Sequence, residues 1–264
     1  MSSIPLAERL RPQTLDEYIG QTHLVGPDGV FRKFLETGNV PSFILWGPPG
    51  VGKTTLAKLV ANQLKRPLYT LSAVTSGVKE VREVIESARK QSLFNQKAAF
   101  LFIDEIHRFN KSQQDSLLGA VEQGIVTLIG ATTENPSFEV ISPLLSRCQV
   151  YILKPMSDEE LSTLLHRAIT ADEELKSRNV KVTQPEALFR FSGGDARKLL
   201  NILDIMAGAT SGDIEITDES VTACLQQNIA LYDKNGEQRM DLYRRMAAIR
   251  TQEDADEQVG GQRS

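Results

Sequence analysis

Residues 47–54 read Gly-Pro-Pro-Gly-Val-Gly-Lys-Thr, and they directly follow the apolar run Phe-Ile-Leu-Trp at 43–46. The segment matches G-x-x-x-x-G-K-[ST], in which a strand leads into a glycine-rich loop and then a helix. In such a loop the glycines let backbone N–H groups approach phosphate oxygens, Lys53 reaches the β- and γ-phosphates, and Thr54 offers its hydroxyl to Mg²⁺. The candidate contacts are Gly47, Pro48, Pro49, Gly50, Val51, Gly52, Lys53, Thr54 and Thr55. The stretch therefore predicts binding of a nucleoside triphosphate.

Around this loop, apolar runs of β-type residues alternate with segments of helical periodicity through the first 155 residues. The predicted strands are 43–46, 68–71, 99–103, 127–131 and 150–153, and the predicted helices are 53–64, 78–91 and 113–122. This alternation is typical of a parallel sheet with flanking helices. Residues 1–155 are therefore predicted to form an α/β nucleotide-binding domain.

The pattern changes after Pro155. Ser157 and Glu160 form a capping box that opens a helix, and further helices are predicted at 185–191, 195–207 and 218–226. Residues 156–228 are therefore predicted to form a small all-helical lid domain. The remaining tail, 229–264, ends in an acidic and then Gly/Gln-rich stretch, and we expect it to be partly disordered.

The composition restricts the class of protein. The chain has 264 residues, of which 41% are apolar and 24% charged. Its net charge of −4 neither favours nor excludes binding to nucleic acid. No apolar run approaches the roughly 20 residues of a membrane span, and the N-terminus lacks an apolar signal region, so we expect a cytoplasmic protein with no membrane partner. Two cysteines and three scattered histidines favour neither a disulfide framework nor a zinc site.

Two carboxylates, Asp104 and Glu105, end the apolar run that starts at Ala98. Strand ends in such sheets face the ligand crevice. Asp104 is therefore predicted to hold Mg²⁺ through its water shell, and Glu105 to polarise the water that attacks the γ-phosphate. The alternative is a solvated loop start. Because small-molecule kinases usually lack such a base on this strand, hydrolysis is favoured over phosphoryl transfer.

Two later segments add to this set: Leu-Ile-Gly-Ala-Thr-Thr-Glu-Asn-Pro at 128–136, and Leu-Leu-Ser-Arg-Cys at 144–148. At this point the chain resembles the AAA+ ATPases, which combine a P-loop α/β module with a small helical lid. The resemblance implies ATP as the nucleotide. It also implies that Thr133, or failing that Asn135, contacts the γ-phosphate or the attacking water as the residue called sensor 1.

The same resemblance assigns roles to two arginines. Ser-Arg-Cys at 146–148 matches a motif of clamp-loader-type subunits, whose arginine, here Arg147, acts on ATP bound to the neighbouring subunit. Gly-Gly-Asp-Ala-Arg at 193–197 is similar to sensor 2, which places Arg197 over the phosphates from the lid. A guanidinium can stabilise the charge on a transferring phosphoryl group. Without the resemblance, either residue can be read as an exposed surface arginine.

Finer details narrow the family. The N-terminal stretch at 6–21 is similar to the segment that packs near adenine in clamp loaders and Holliday-junction motors, where Arg11 and Pro12 shape the entry and Ile19 touches the base. From the residues alone it is an extended, proline-containing arm. Three segments, at 72–79, 103–111 and 130–138, complete a resemblance to the replication-associated recombination protein A (RarA or MgsA) family, whose eukaryotic members are Werner-helicase-interacting ATPases.

That resemblance implies a DNA-dependent ATPase at stalled forks, with a preference for duplex ends and gaps. It also implies a homotetramer that works beside single-stranded-DNA-binding protein, associated with the nucleoid. Family members continue past the lid into a helical collar and oligomerisation region, and residues 239–264 do not resemble that continuation. The resemblance therefore does not carry tetramer formation over to this chain.

Candidate DNA contacts are basic residues in loops near the site, because phosphate contacts come from Lys and Arg. They are Lys79, Arg108 and Lys111. The alternative for each is a solvated surface charge, and Phe109 and Phe138 are predicted to be packed. Two other functions stay open: a non-catalytic, nucleotide-gated scaffold subunit, and a clamp-loader or branch-migration motor subunit.

Overall fold

A parallel sheet dominates the first part of the chain. The computed structural model describes residues 4–94 and 97–232, and within these the sheet has five strands in the order β2-β3-β4-β1-β5. The strands are β1 (Phe43–Trp46), β2 (Leu68–Ser72), β3 (Ala99–Asp104), β4 (Val126–Thr132) and β5 (Gln149–Ile152). This confirms the predicted α/β fold. Each predicted strand matches the structure to within one residue at either end.

Helices cover both faces of this sheet. The helices before the lid are α1 (Leu6–Arg9), α2 (Thr22–Val25), α3 (Val30–Thr37), α4 (Lys53–Gln63), α5 (Val78–Ser92), α6 (Lys111–Glu122), α7 (Pro136–Glu139) and α8 (Ser142–Leu145), with 3₁₀ turns at Leu15–Glu17 and Ile106–Arg108. Of these, α1 packs against the lid rather than the sheet. One core packs α3 and α4 against the sheet, and a second packs α5 and α6 against the other face. Because both faces are covered, β1 and the part of β3 before Asp104 are apolar throughout rather than alternating.

The strand order places the functional loops. β4 pairs with β1 on one side and with β3 on the other, all in parallel. The carboxyl ends of these three strands therefore meet at one edge of the sheet. The phosphate loop leaves β1 at this edge, and Asp104 ends β3 there.

The second part of the chain is mainly helical, as predicted. It contains α9 (Asp158–Ala171), α10 (Glu173–Ser177), α11 (Glu186–Ser192), α12 (Ala196–Ala209) and α13 (Asp218–Tyr232). The capping box at Ser157 is present, with its hydroxyl accepting from the Glu160 backbone N–H. The prediction of an all-helical lid needs one correction, because β6 (Val180–Val182) and β7 (Ile214–Ile216) form a parallel pair. At three residues each, these strands are too short to show a period-2 pattern.

The N-terminal arm joins the two parts. Leu6 is fully buried in the core of the lid, whereas Leu15 and Tyr18 belong to a core of the sheet. The arm therefore runs along the cleft between sheet and lid. The division at residues 155 and 228 stays a prediction, and α13 extends to Tyr232.

The predicted disorder concerns a tail that lies almost entirely outside the described residues. Among the described residues, no helix combines the length and the apolar character needed to cross a membrane.

Candidate nucleotide-binding site

The phosphate loop has the backbone conformation that its glycines allow. Gly50 has φ +73° and Gly52 has φ +98°, and Gly52 is the N-cap of α4. Both values lie in the left-handed region, which side chains disfavour by roughly 1–2 kcal/mol per residue. The loop therefore presents backbone N–H groups at the start of a helix, which is an arrangement that binds phosphate.

Lys53 is held inside this loop. Its residue is only 8% exposed, and Nζ donates hydrogen bonds to the carbonyl oxygens of Gly47 at 2.7 Å and Pro48 at 2.8 Å. Burial lowers the pKa of Lys53, while the charges of Glu105 and Asp104 act in the opposite direction. The ammonium is thus placed at the loop by carbonyl groups that phosphate oxygens can replace.

A cleft of about 480 Å³ lies between the sheet and the lid. It brings together most of the predicted nucleotide contacts: Arg11, Ile19, residues 49–55, Asp104, Glu105 and Arg197. Gly47 and Pro48 do not line the cleft, and their carbonyl oxygens accept hydrogen bonds from Lys53. The volume falls in the range of small-molecule sites. Residues from the arm, the sheet and the lid therefore face one space.

The two carboxylates follow β3 into the cleft. Asp104 is the last residue of the strand, and Glu105 adopts φ +55°, which is unusual for a residue with a side chain. Glu105 Oε2 lies 3.2 Å from Nε2 of His107, and Nδ1 of His107 lies 2.9 Å from Oγ1 of Thr132. Sequence reasoning missed His107, since only the 3₁₀ turn after the strand brings its ring back over Glu105.

The sensor 1 candidates lie just beyond β4. The strand ends at Thr132, so Thr133 is the first residue after it and is half-buried beside the same sheet edge. The side chain of Asn135, the second candidate, accepts a hydrogen bond from the Ser137 backbone N–H at 3.0 Å and caps α7. Neither residue lines the cleft, and the role of Thr133 stays a prediction.

The lid touches the phosphate loop directly through the start of α12. Ala196 N lies 3.3 Å from the Gly50 carbonyl oxygen, and Asp195 caps the helix by accepting from Lys198 N at 3.0 Å. A Cβ on Gly50 would lie 1.9 Å from the Asp195 carboxylate. Position 50 therefore requires glycine both for its backbone angle and for its contact with the lid. Arg197, the second residue of α12, lines the cleft.

The arm forms the remaining wall. The hydroxyl of Tyr18 lies 3.2 Å from the carbonyl oxygens of Val51 and Gly52, and burial raises the pKa of Tyr18, so the phenol remains a donor. A Cβ on Gly52 would lie 2.3 Å from that hydroxyl. Nη1 of Arg11 is buried and has no hydrogen-bond partner among the described residues. Arg11 lines the cleft, so this unused donor belongs to the arm, where the resemblance places adenine.

Arg147 lies outside its own chain's cleft. It follows α8, its side chain is 40% exposed, and its guanidinium pairs with Glu122 at the end of α6. The same side chain donates to the Pro143 carbonyl oxygen. This position agrees with a role at a neighbouring molecule, which stays a prediction.

The DNA candidates are all exposed and lie away from the cleft lining. Lys79, at the start of α5, is 83% exposed and lies 3.8 Å from Glu83. Arg108 and Lys111 are exposed after β3. Phe109 is buried as predicted, but the prediction that Phe138 is packed is wrong, because it is 85% exposed on the short helix α7.

Two family models match this architecture. Residues 43–156 match the "ATPase family associated with various cellular activities (AAA)", and residues 175–244 match the "AAA C-terminal domain". The first match spans the phosphate loop, the carboxylates and all five strands of the large sheet. It implies a nucleotide-binding domain.

Curated relatives and solved structures point the same way. The chain is 42% identical over 240 residues to replication-associated recombination protein A of Coxiella burnetii, covering 89% of this chain and 54% of the relative. It is 44% identical over 246 residues to the Escherichia coli protein of that name, covering 90% and 55%. ATPase WRNIP1 of Dictyostelium discoideum is 43% identical over 257 residues, covering 89% and 29%. The RuvB Holliday junction branch migration motor of Thermotoga maritima superposes with a TM-score of 0.63 at 27% identity, covering 83% of this chain and 72% of that chain.

The chain spans about half the length, or less, of these curated relatives. Over that span the loop, the carboxylates, the lid and the arm form one cleft, and both family models match in order. The chain therefore belongs to the replication-associated recombination protein A family of AAA ATPases.

Proposed function

We propose that this chain binds and hydrolyses ATP in the cleft between sheet and lid, as the motor module of a protein that acts on DNA. The observation that carries the proposal is the placement of Lys53, Asp104, Glu105 and Arg197 around one cleft at the phosphate loop. Phosphoryl transfer to water uses groups of these kinds: a cation at the phosphates, a carboxylate beside the metal ion, a general base and an arginine from the lid.

The loop side binds the phosphates. Gly50 and Gly52 leave room for phosphate oxygens at the N-terminus of α4, and Lys53 exchanges its two loop carbonyls for the β- and γ-phosphates. The oxygen donors of Thr54 and Asp104 fit Mg²⁺, with Asp104 acting through water. When bound, the ion neutralises charge on the phosphates.

Glu105 serves as the base that orients and polarises the attacking water. Its carboxylate lines the cleft and is 30% exposed, so water reaches it. Thr133, at the end of the neighbouring strand, contacts the γ-phosphate or that water. Removing the carboxylate's basicity therefore stops hydrolysis while leaving nucleotide binding intact.

The two arginines act from different molecules. Arg197 reaches the phosphates from the chain's own lid, whereas Arg147 reaches the nucleotide of a neighbouring copy, because it lies outside its own cleft. Hydrolysis then depends on self-association, which is tetrameric in the family resemblance. The adenine is held by the arm, near Ile19 and the unused Nη1 donor of Arg11.

DNA is the proposed regulator of turnover. The relatives' names refer to replication and recombination, and the superposed RuvB is named as a Holliday junction branch migration motor. We propose forks, duplex ends and gaps as substrates, single-stranded-DNA-binding protein as a partner and the nucleoid as the location. Lys79, Arg108 and Lys111 are the proposed phosphate contacts, since all three are exposed.

The test is steady-state ATP hydrolysis across protein concentration, with and without forked DNA. Turnover that rises more than linearly with protein, is stimulated by DNA and is lost in Glu105→Gln supports an assembling motor. Glu86→Gln is the matched control, because this exposed glutamate of α5 lies outside the cleft lining.

One observation favours a second candidate, a nucleotide-gated scaffold. Arg147 is paired with Glu122 of its own chain, so its guanidinium has to leave this pair before it can act on a neighbouring copy. Negligible turnover at every protein concentration, together with tight ATP binding, supports the scaffold and contradicts the motor. To distinguish a branch-migration motor from the first proposal, we measure whether ATP hydrolysis moves the branch point of a synthetic four-way DNA junction.

A further inference from the structure

His107 connects the ends of two neighbouring strands. It lies in the 3₁₀ turn after β3, and its side chain is only 12% exposed. One ring nitrogen, Nε2, lies 3.2 Å from Oε2 of Glu105, and the other, Nδ1, lies 2.9 Å from Oγ1 of Thr132. Thr132 ends β4 and is fully buried. A single imidazole therefore bridges the carboxylate in the cleft and the end of the adjacent strand.

The donors and acceptors of this bridge have one consistent arrangement for a neutral ring. An ionised carboxylate only accepts, so the proton must be on Nε2, which donates to Glu105. Nδ1 is then an acceptor, and at 2.9 Å it lies closer to the Thr132 hydroxyl than the competing acceptor, the Glu134 carbonyl oxygen at 3.2 Å. The Thr132 oxygen still accepts from the Glu134 backbone N–H at 3.0 Å, so the hydroxyl is fixed from both sides.

We propose that His107 is a positioning residue for Glu105, and that Thr132 fixes the tautomer and orientation of its ring. This rests on the proposed role of Glu105 in hydrolysis. The imidazole holds one carboxylate oxygen and leaves the other free for water in the cleft. It also restrains the side chain of a residue whose φ of +55° is uncommon for residues other than glycine.

The restraint matters because a general base must lie within hydrogen-bond distance of the attacking water. A displacement of about 1 Å in such a group can lower the rate by about a hundred-fold. His107 does not line the cleft, so its loss leaves the nucleotide contacts in place. The bridge therefore affects the chemical step and not binding.

The experiment measures single-turnover ATP hydrolysis at saturating nucleotide, together with the Kd for ATP, on the whole chain. We expect His107→Ala to lower the rate by about ten- to a hundred-fold and to change Kd by less than about two-fold. Thr132→Val removes the hydroxyl at nearly constant volume, and a smaller loss of about three- to ten-fold is expected. His166→Ala, an exposed histidine of the lid, is the matched control and should behave as the unmodified chain.

The deciding readout is the double variant with Glu105→Gln. If His107 acts through Glu105, its removal causes no further loss in the slow residual single-turnover rate that Glu105→Gln retains. An equal loss in both backgrounds, or no loss from His107→Ala while Glu105→Gln lowers hydrolysis to that residual rate, overturns the positioning role and leaves the proposed function standing. Full hydrolysis by Glu105→Gln instead overturns the role of Glu105 on which the bridge rests, whereas no hydrolysis by the unmodified chain overturns the proposed function itself.

If His107→Ala fails to fold, the Thr132→Val variant carries the test. A Thr132→Val rate equal to that of the unmodified chain, with an unchanged melting temperature, then counts against the bridge. His107→Gln supplies a further check, because its amide keeps one donor near Glu105 and should recover part of the rate lost in His107→Ala.

Discussion

The two sides of the cleft are built in different ways. The loop side consists of the contiguous residues 47–55 together with Asp104 and Glu105, which one strand delivers. The lid side consists of the start of α12 and the N-terminal arm, which meet the loop through contacts between distant parts of the chain. A short motif therefore specifies the chemistry of phosphate binding, whereas tertiary packing determines how the cleft is covered.

The substitution with the largest expected effect on stability and ATP binding lies where the two sides of the cleft meet. Gly50→Ala forces a side chain into the left-handed region and against the Asp195 carboxylate, which is itself fixed as the cap of α12. We expect a loss of about 3 kcal/mol in the free energy of unfolding, from backbone strain and overpacking together. ATP binding should also be lost. Chemical denaturation and a nucleotide-binding titration measure the two losses.

Gly119→Ala is the matched control for this prediction. Gly119 lies within α6, and a Cβ there meets nothing within 4 Å. Alanine in a helix interior is favoured over glycine by about 1 kcal/mol, so this variant should be slightly more stable. A Gly50→Ala chain as stable as Gly119→Ala contradicts the close contact between loop and lid.

The next largest effect is expected on ATP affinity, from a substitution on the loop side alone. Lys53→Ala removes the only described loop cation, and we expect ATP affinity to fall by about a hundred-fold or more, since a buried charge-assisted contact is lost. The free energy of unfolding should change little, because Nζ bonds only to loop carbonyls. Lys58→Ala, an exposed lysine on the same helix, is the control. Unchanged affinity in Lys53→Ala contradicts the assignment of the cleft.

This asymmetry explains which features the sequence could predict. The strand boundaries agree with the structure, and residues 49–55 of the loop line the cleft, because continuous apolar runs and a spaced glycine motif are local signals. The fit of Asp195 against Gly50, and of Tyr18 against Gly52, depends on residues far apart in the chain. No local pattern encodes these contacts. The resemblance placed Arg11, Ile19 and Arg197 near the cleft, but gave no reason why the two glycines must lack side chains.

Some residues were missed because their signals are weak. The contact of His107 with Glu105 depends on a 3₁₀ turn, which no local pattern of the sequence indicates. The strands β6 and β7 are three residues each, too short for a periodicity argument. Phe138 is exposed, contrary to the prediction that it is packed rather than stacked on bases, and it lies on a helix of only four residues.

A third prediction tests the lid side alone. Arg9 donates to both carboxylate oxygens of Asp172, at 2.7 and 3.0 Å, and these two side chains are 17% and 4% exposed. Asp172→Asn should lower the free energy of unfolding by about 2 kcal/mol, because Arg9 loses a buried partner. Nucleotide affinity should fall less than in Lys53→Ala. Glu174→Gln is the control, since Glu174 lies 3.6 Å from Arg9 and is more exposed.

The same pair predicts a pH dependence. Burial acts to raise the pKa of Asp172, but the hydrogen bonds from Arg9 and Leu175 outweigh it and lower the pKa below its ordinary value. A carboxyl group with a lowered pKa in the folded state stabilises the fold above its unfolded pKa, about 3.9, and this contribution is lost as pH falls further. The difference in unfolding free energy between the unmodified chain and Asp172→Asn should therefore be constant above about pH 5 and shrink below about pH 4. A difference that grows on acidification contradicts this.

The smallest effect lies outside both sides of the cleft. Glu122→Ala removes the exposed partner of Arg147, and ion pairs of this exposure contribute at most about 1 kcal/mol, so the unfolding free energy should hardly change. If Arg147 acts on a neighbouring copy, its release should raise ATP hydrolysis at intermediate protein concentration by about two-fold, while nucleotide affinity stays constant. Arg147→Ala should instead remove the concentration dependence. Because neither residue reaches its own cleft, an effect of Glu122→Ala that persists at the lowest protein concentration contradicts action between copies and places the function of Arg147 within one chain.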